Sequence, residues 1–227
     1  MATPSSLIEE LENALASGST QHRLQALWHV TDLFVEGASR YSDEQISLFD
    51  DVIGKLASEI EAKARAKLAT RLAPISNAPA RTVKALAFDD DITVAWSVLS
   101  NSDRLNDSDL VLNAKTKSQR HLSAIAQRRA LSESVTDVLV TRGDREVVRS
   151  VAKNAGARFS GAGFRKMVKL ARGDDVLTTH LGMRNDLPKH HFLSLLDHAS
   201  AAVRKKIAEE NPDADGAVEI ILGDIVD

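Results

Sequence analysis

The sequence predicts an all-α chain in which short antiparallel helix pairs stack in series as an α-solenoid. Three observations carry that prediction. Apolar residues recur three and four positions apart through almost every segment, the spacing that lines one face of a helix. A pair of small or aliphatic residues returns at intervals of 30, 27, 26, 30 and 26, accompanied by residues that start helices. Helix breakers are scarce, with 11 Gly and 5 Pro in 227 residues, and only 4% of residues are aromatic, so Ala and Leu fill a closely packed interior.

Residues 1–62 read as an N-terminal helical segment packed on the array. Ser5 is placed to cap a first helix whose apolar face is Leu7, Ile8, Leu11 and Leu15. Leu24, Leu27, Trp28, Thr31 and Phe34 form the stripe of a second, which Gly37 ends. A third starts at Ser42 with Glu44 and Gln45 just inside, a capping region, and carries Ile46, Phe49, Ile53, Leu56 and Ile60. That stripe is too short for a dimeric coiled coil and is read as a core face.

Residues 63–210 repeat. The recurring pairs are Leu68-Ala69, Val98-Leu99, Ile125-Ala126, Val151-Ala152, Leu181-Gly182 and Ile207-Ala208, each near the end of a short helical pattern. An apolar residue and a helix starter follow at Ile75-Ser76, Leu105-Asn106, Leu131-Ser132, Phe159-Ser160 and Leu187-Pro188. A second helix then carries an expected buried anchor near Leu86, Leu112, Leu139, Val168 or Leu196. Asp90, Ser118, Asp144, Asp174 and Ser200 are the caps that close each unit. Neither helix of a pair can bury its apolar face alone, so each pair leans on its neighbours. Residues 211–227, with Ala217, Val218, Ile220, Ile221, Leu222 and Ile225, read as a terminal capping helix or the start of a truncated unit.

Several strings are similar to those of a bacterial family of HEAT-like helical-repeat proteins, a domain of unknown function. They are VTDLF at 30–34, EQISLFDDVI at 44–53, RLAPISNAP at 71–79, LAFDDDITVAWSVL at 86–99, HLSAIAQR at 121–128, VTDVLVTRGDREVVRSVAKNAGARFS at 135–160 and RNDLP at 184–188. The resemblance implies HEAT-like pairs and brings no activity, catalytic residue or ligand with it. Trp96 stands where it leads one to expect a small residue.

Composition narrows the function classes. The chain has no Cys, which excludes disulfides, thiolate metal sites and a Cys nucleophile and fits a reducing compartment. Neither a secretory signal nor an apolar run of about 18 residues is present, so the expectation is a cytoplasmic protein with no membrane partner. No catalytic motif stands out; the protein is expected to be a non-enzyme without cofactor. His180, His190, His191 and His198 lack the four-residue spacing of helical metal ligands, and no metal is expected. Asp89, Asp90 and Asp91 read as helix caps rather than a cation site. Gly161 and Gly163 at a helix start form only a weak anion cradle.

Charge supplies the functional lead. Net charge is −7 over residues 1–112, +10 over 113–172 and −6 over 173–227. Within the basic belt, Arg145, Arg149 and Lys153 are spaced by four; Arg165, Lys169 and Arg172 repeat that pattern nearly, and Arg120, Arg128 and Arg129 precede them. Stacked helices are expected to bring these cations together so that their potentials add. The reading is a scaffold or adaptor whose belt meets an acidic protein surface. The alternatives are a nucleic-acid backbone and self-association with the acidic ends. Phe159 and Phe164 sit at core positions, which leaves few stacking platforms for bases. Trp96 occupies a place where its repeat equivalents are Ser123, Arg149, Thr179 and Lys205; it is either an exposed binding anchor or packed on the N-terminal helices. Arg71, Asn101, Arg128, Asn154 and Arg184 each follow an apolar pair by two and are expected to hydrogen-bond carbonyls at helix ends. His121 reads as a satisfied polar residue.

Overall fold

The structure is a computed structural model and describes residues 19–210. Among these there are thirteen α-helices and no strand, so the chain is all-α as its periodicity predicts. The predicted helix over Leu7–Leu15 and the predicted C-terminal helix of 211–227 lie outside the described residues. The chain divides into two compact units at Ala124/Ile125.

The first unit holds α1 (Thr20–Gly37), α2 (Asp43–Ala57), α3 (Ala62–Leu72), α4 (Ala80–Ala87), α5 (Ile92–Asn101), α6 (Asp107–Thr116) and most of α7 (Gln119–Ala126). α1 buries Leu27, Val30, Thr31 and Phe34, but Leu24 and Trp28 of the predicted stripe stay half-buried. Phe34, Tyr41 and Phe49 form an aromatic cluster, with ring centroids 4.9–6.1 Å apart, that holds α1 on α2. Ser42 and Gln45 complete a capping box at the start of α2: the Ser42 Oγ accepts from the Gln45 N–H, and the Gln45 side chain accepts from the Ser42 N–H at 3.0 Å.

α4 departs from the predicted start. Ser76 lies in a turn, and the helix begins after Pro79, because the Pro74–Pro79 stretch closes tight turns through Ile75 N–H to Leu72 O and Ala78 N–H to Ile75 O, both 3.1 Å. Pro79 has no side-chain acceptor for the orphan N–H groups of α4. The buried Asp50 of α2 supplies one, accepting from Arg81 N–H and Thr82 N–H, each at 2.8 Å, and from Thr82 Oγ1 at 2.7 Å. α3 lies against α5, and α4 against α2 and α5.

Two further positions differ from expectation by one residue. Asp91, not Asp90, caps α5, accepting from Thr93 N–H at 2.9 Å. Leu112 is 49% exposed; the buried positions of α6 are Asp109, Leu110, Asn113 and Ala114. Asn113 takes the anchor place, and its Nδ2 donates to Ala87 O at the end of α4 at 2.8 Å. His121 is 1% exposed and spans Ser118 Oγ at 2.8 Å and Asp89 O at 2.9 Å. A carbonyl only accepts, so Nε2 carries a proton and donates to Asp89 O.

The second unit holds α8 (Glu133–Arg142), α9 (Arg145–Lys153), α10 (Gly161–Ala171), α11 (Asp175–Gly182), α12 (Lys189–Asp197) and α13 (Ala201–Glu210). Its helices form two rows: α8 on α10 on α12, and α9 on α11 on α13. Asp144, Asp174 and Ser160 cap α9, α11 and α10 by accepting N–H bonds at 3.0, 3.0 and 2.9 Å. Pro188 stands at the cap position of α12, one residue before the predicted place. The apolar pairs all fall on α3, α5, α7, α9, α11 and α13, and every member is buried except the half-buried Ala208. Gly182 completes its pair because a Cβ there would meet Ile207 Cδ1 of α13 at 2.4 Å.

Candidate functional site

The connections of the second unit determine where its cations stand. The loop after α9 is drawn against the loop before α8: Leu131 N–H donates to Gly156 O and Arg158 N–H to Leu131 O, each at 3.0 Å. Gly156 allows this approach, since a Cβ there would fall 1.9 Å from Arg129 O. Asn154 Nδ2 donates to Ala126 O at 2.9 Å and Arg128 O at 2.8 Å, closing the end of α7.

Arg184 does the same one repeat later. Its Nη1 donates to Ala152 O at 3.2 Å and Asn154 O at 2.7 Å, and its Nη2 to Ala157 O at 2.7 Å. Nε and Nη2 complete a two-point pair with Asp186, both at 2.7 Å. All five guanidinium N–H groups are thus satisfied in a side chain only 7% exposed, and its Cζ lies 4.7 Å from the Phe159 ring centroid. Asn154 and Arg184 therefore bind helix-end carbonyls as their sequence position predicts. Asn101 binds Ser97 O of its own helix at 3.1 Å, whereas Arg71 pairs with the Asp32 carboxylate instead.

These latches leave a cleft of about 550 Å³ lined by Gln127, Arg128 and Arg129, by Glu146, Arg149, Ser150, Lys153 and Asn154 along α9, and by Val176 and His180 of α11. A second cleft of about 410 Å³ adjoins it, shares Lys153 and His180, and ends at Met183, Asn185 and Asp186. The shared wall makes them one groove.

The cations of the groove differ in how far they are engaged. Arg149 is tied to Asp174 by Nε at 3.1 Å and Nη2 at 2.9 Å, and to Glu146 at 3.0 Å. Hydrogen bonding to Asp174 raises the Arg149 pKa. Burial pushes the Asp174 carboxyl up, but the Arg149 guanidinium, the Leu177 N–H and the charge of Arg145 outweigh it and hold the group below its ordinary value. Arg145 approaches the same carboxylate at 3.6 Å and is 70% exposed. Lys153 and Arg129 are exposed and enter no ion pair among the described residues. His180 Nδ1 is buried without a hydrogen-bond partner there. Burial, then the charges of Lys153, Lys206 and Arg149, lower its pKa, so the ring is neutral at pH 7.

The belt residues are spread over several elements. Arg128, Arg145, Arg149 and Lys153 gather around α9. Arg165 and Lys169 are exposed on α10, and Arg172 just after it, in the other row. Arg120 is exposed on α7 in the first unit. Trp96 is 42% exposed on α5, also in the first unit. His180 carries no binding signature in residue spacing, because its burial and its unpartnered nitrogen depend on packing.

Asp89, Asp90 and Asp91 serve the fold: Asp89 pairs with Arg65 at 2.6 Å, Asp90 with Lys117 at 2.5 Å, and Asp91 caps. No group of three His, Asp or Glu placed to hold a metal occurs among the described residues. No helix among them is long and apolar enough to cross a membrane.

Residues 94–227 match a family model described as an uncharacterised protein conserved in bacteria, DUF2336. No curated protein and no solved structure matches the chain.

Proposed function

The chain belongs to this bacterial family, and on that premise we propose that it is a non-catalytic cytoplasmic scaffold: an α-solenoid of HEAT-like helix pairs that holds an acidic segment of a partner protein. The repeat supports the solenoid reading. Each apolar pair sits on alternate helices, and within the second unit like helices lie on like helices in two rows.

One observation carries the binding reading. Lys153 and Arg129 face a groove with no carboxylate of their own, beside a buried His180 nitrogen that lacks a partner. Carboxylates of an extended segment satisfy both cations, because each gains a counter-charge, and their charge favours protonation of the neighbouring His180 ring. The Arg149–Asp174 pair holds the groove wall rather than the ligand.

The test is a titration of the full chain with a fluorescent polyglutamate peptide. Arg129→Glu/Lys153→Glu is expected to weaken binding at least tenfold, and Arg165→Glu/Lys169→Glu by less than about threefold through long-range charge alone. Equal losses in both variants contradict the groove. Tighter binding of duplex DNA, with a steep salt dependence, replaces the protein partner by nucleic acid. Light scattering that shows a salt-sensitive dimer replaces it by a second copy.

A further inference from the structure

The first unit has a second recess, where α1 meets α3. Trp28 of α1 and Lys63, Ala66, Lys67, Thr70 and Arg71 of α3 line a shallow cleft of about 560 Å³. That volume is within the roughly 300–1,000 Å³ of ordinary small-ligand pockets. Its lining is chiefly apolar: the indole, the Ala66 methyl and the aliphatic stems of the lysines. α1 turns Leu27, Val30 and Phe34 fully inward, which leaves the Trp28 ring at the edge of the core, half-buried.

The polar groups are arranged around that ring. Lys63, Lys67 and Arg71 follow each other by four and form one stripe along α3. Lys63 and Lys67 are exposed and enter no ion pair among the described residues. Arg71 is held: it pairs with Asp32, and its Cζ lies 5.8 Å from the Trp28 ring centroid. The recess thus combines a fixed aromatic and guanidinium surface with two unneutralised ammonium groups.

We propose that this cleft binds an acidic peptide segment through two carboxylates at alternate positions and an aromatic side chain two positions beyond them. The ring of such a residue packs against the indole and the planar guanidinium. Lys63 and Lys67 are one turn apart, a rise of about 6 Å. That matches carboxylates at positions i and i+2 of an extended peptide, which share one face about 6.6 Å apart, and it brings an aromatic residue at i+4 to the same face, over Arg71 and Trp28. Asp32, 54% exposed beside Arg71, offers an acceptor for a peptide N–H. A bilayer fits poorly because the indole is recessed. A uniform polyanion supplies charge but no side chain to cover the apolar surface of Trp28 and Ala66. The site depends neither on the groove along α9 nor on the solenoid reading.

Trp28 and Trp96 are the only two tryptophans of the sequence, so Trp96→Phe leaves Trp28 as sole indole emitter. The full chain carrying that change is titrated with a synthetic pentapeptide that has Glu at its first and third positions, Phe at its fifth and Ser between them. A saturable change in Trp28 emission is expected, and it disappears when Gln replaces Glu or Ala replaces Phe in the peptide. Adding Lys63→Glu/Lys67→Glu, two exposed changes whose folding is checked by circular dichroism, weakens binding about tenfold. Adding Arg129→Glu/Lys153→Glu leaves the Trp28 response in place. An absent response, an equal response to the Ala-containing peptide, or a stronger one to oligothymidylate or to phosphatidylserine vesicles overturns the proposal.

Discussion

α9 and α10 carry almost the same charge pattern and put it to different uses. On α9, Arg145 and Arg149 converge on the buried Asp174 of the neighbouring α11, and Lys153 is left to face a groove. On α10, Arg165 and Lys169 are exposed and enter no ion pair among the described residues. The helices belong to different rows of the unit. Four-residue spacing fixes which face of its own helix a side chain occupies. It does not fix which neighbour that face meets.

Four changes sharpen or break this contrast, and the largest effect is expected at the carbonyl end of α9. Arg184→Ala strips three carbonyls and Asp186 of their donors in a nearly buried place. It is expected to cost about 3 kcal/mol, read as a lower urea midpoint at unchanged slope. Arg184→Lys recovers little of this, since one ammonium cannot reach five acceptors in a plane. Next comes the other end of the helix. Asp174→Asn keeps a capping oxygen for Leu177 N–H but removes the charge opposite Arg149, which is 24% exposed. The expected cost is about 2 kcal/mol, below that of a fully buried pair because water reaches the arginine. Because the Asp174 pKa is lowered in the folded chain, its contribution is complete above the unfolded carboxylate value of about 3.9 and is lost as pH falls through the folded value. Urea midpoints measured against pH are therefore expected to fall less steeply on the acid side in Asp174→Asn than in the wild type.

Smaller effects follow on the other row and at the imidazole. Arg165→Ala/Lys169→Ala is expected to move stability by no more than about 0.5 kcal/mol, since these exposed cations pair with nothing described. A drop comparable with that of Asp174→Asn erases the contrast. The last concerns His180. Lys153 and Arg149 of α9 and Lys206 of α13 face it, opposed by Asp174, and burial together with the cations lowers its pKa. A bound carboxylate raises that pKa, so binding takes up protons and polyglutamate affinity is expected to rise about two- to threefold as pH falls from 7 to 6. His180→Gln removes the rise; a histidine signal in the nuclear magnetic resonance spectrum that keeps its pKa on saturation with peptide contradicts it.

Much of the fold was legible in the sequence. The six apolar pairs all lie on alternate helices because a largely buried pair in the last turn of a helix is a strong, local pattern. The capping box at Ser42 and the caps at Asp144, Ser160 and Asp174 were legible for the same reason: they join residues three apart. Errors of one residue arose where two neighbours had equal claims. Leu112 was preferred to Asn113 by its side chain, but Asn113 sits in register and finds Ala87 O, a partner 26 residues away. Asp90 was preferred to Asp91, and the helix starts one residue later. The start of α4 was missed because its acceptor, Asp50, belongs to another helix. The candidate site was legible only as composition. That Arg149 is spent on Asp174, and that Arg165 faces another row, depends on packing between residues about one repeat apart.

The most direct test of the α9 groove is residue-resolved amide shift mapping of the full chain during titration with polyglutamate. The account predicts that shifts concentrate at residues 127–129, 149–154 and 176–186 and spare 165–172. Shifts centred on 165–172, or spread evenly over every basic residue from 113 to 172, contradict it.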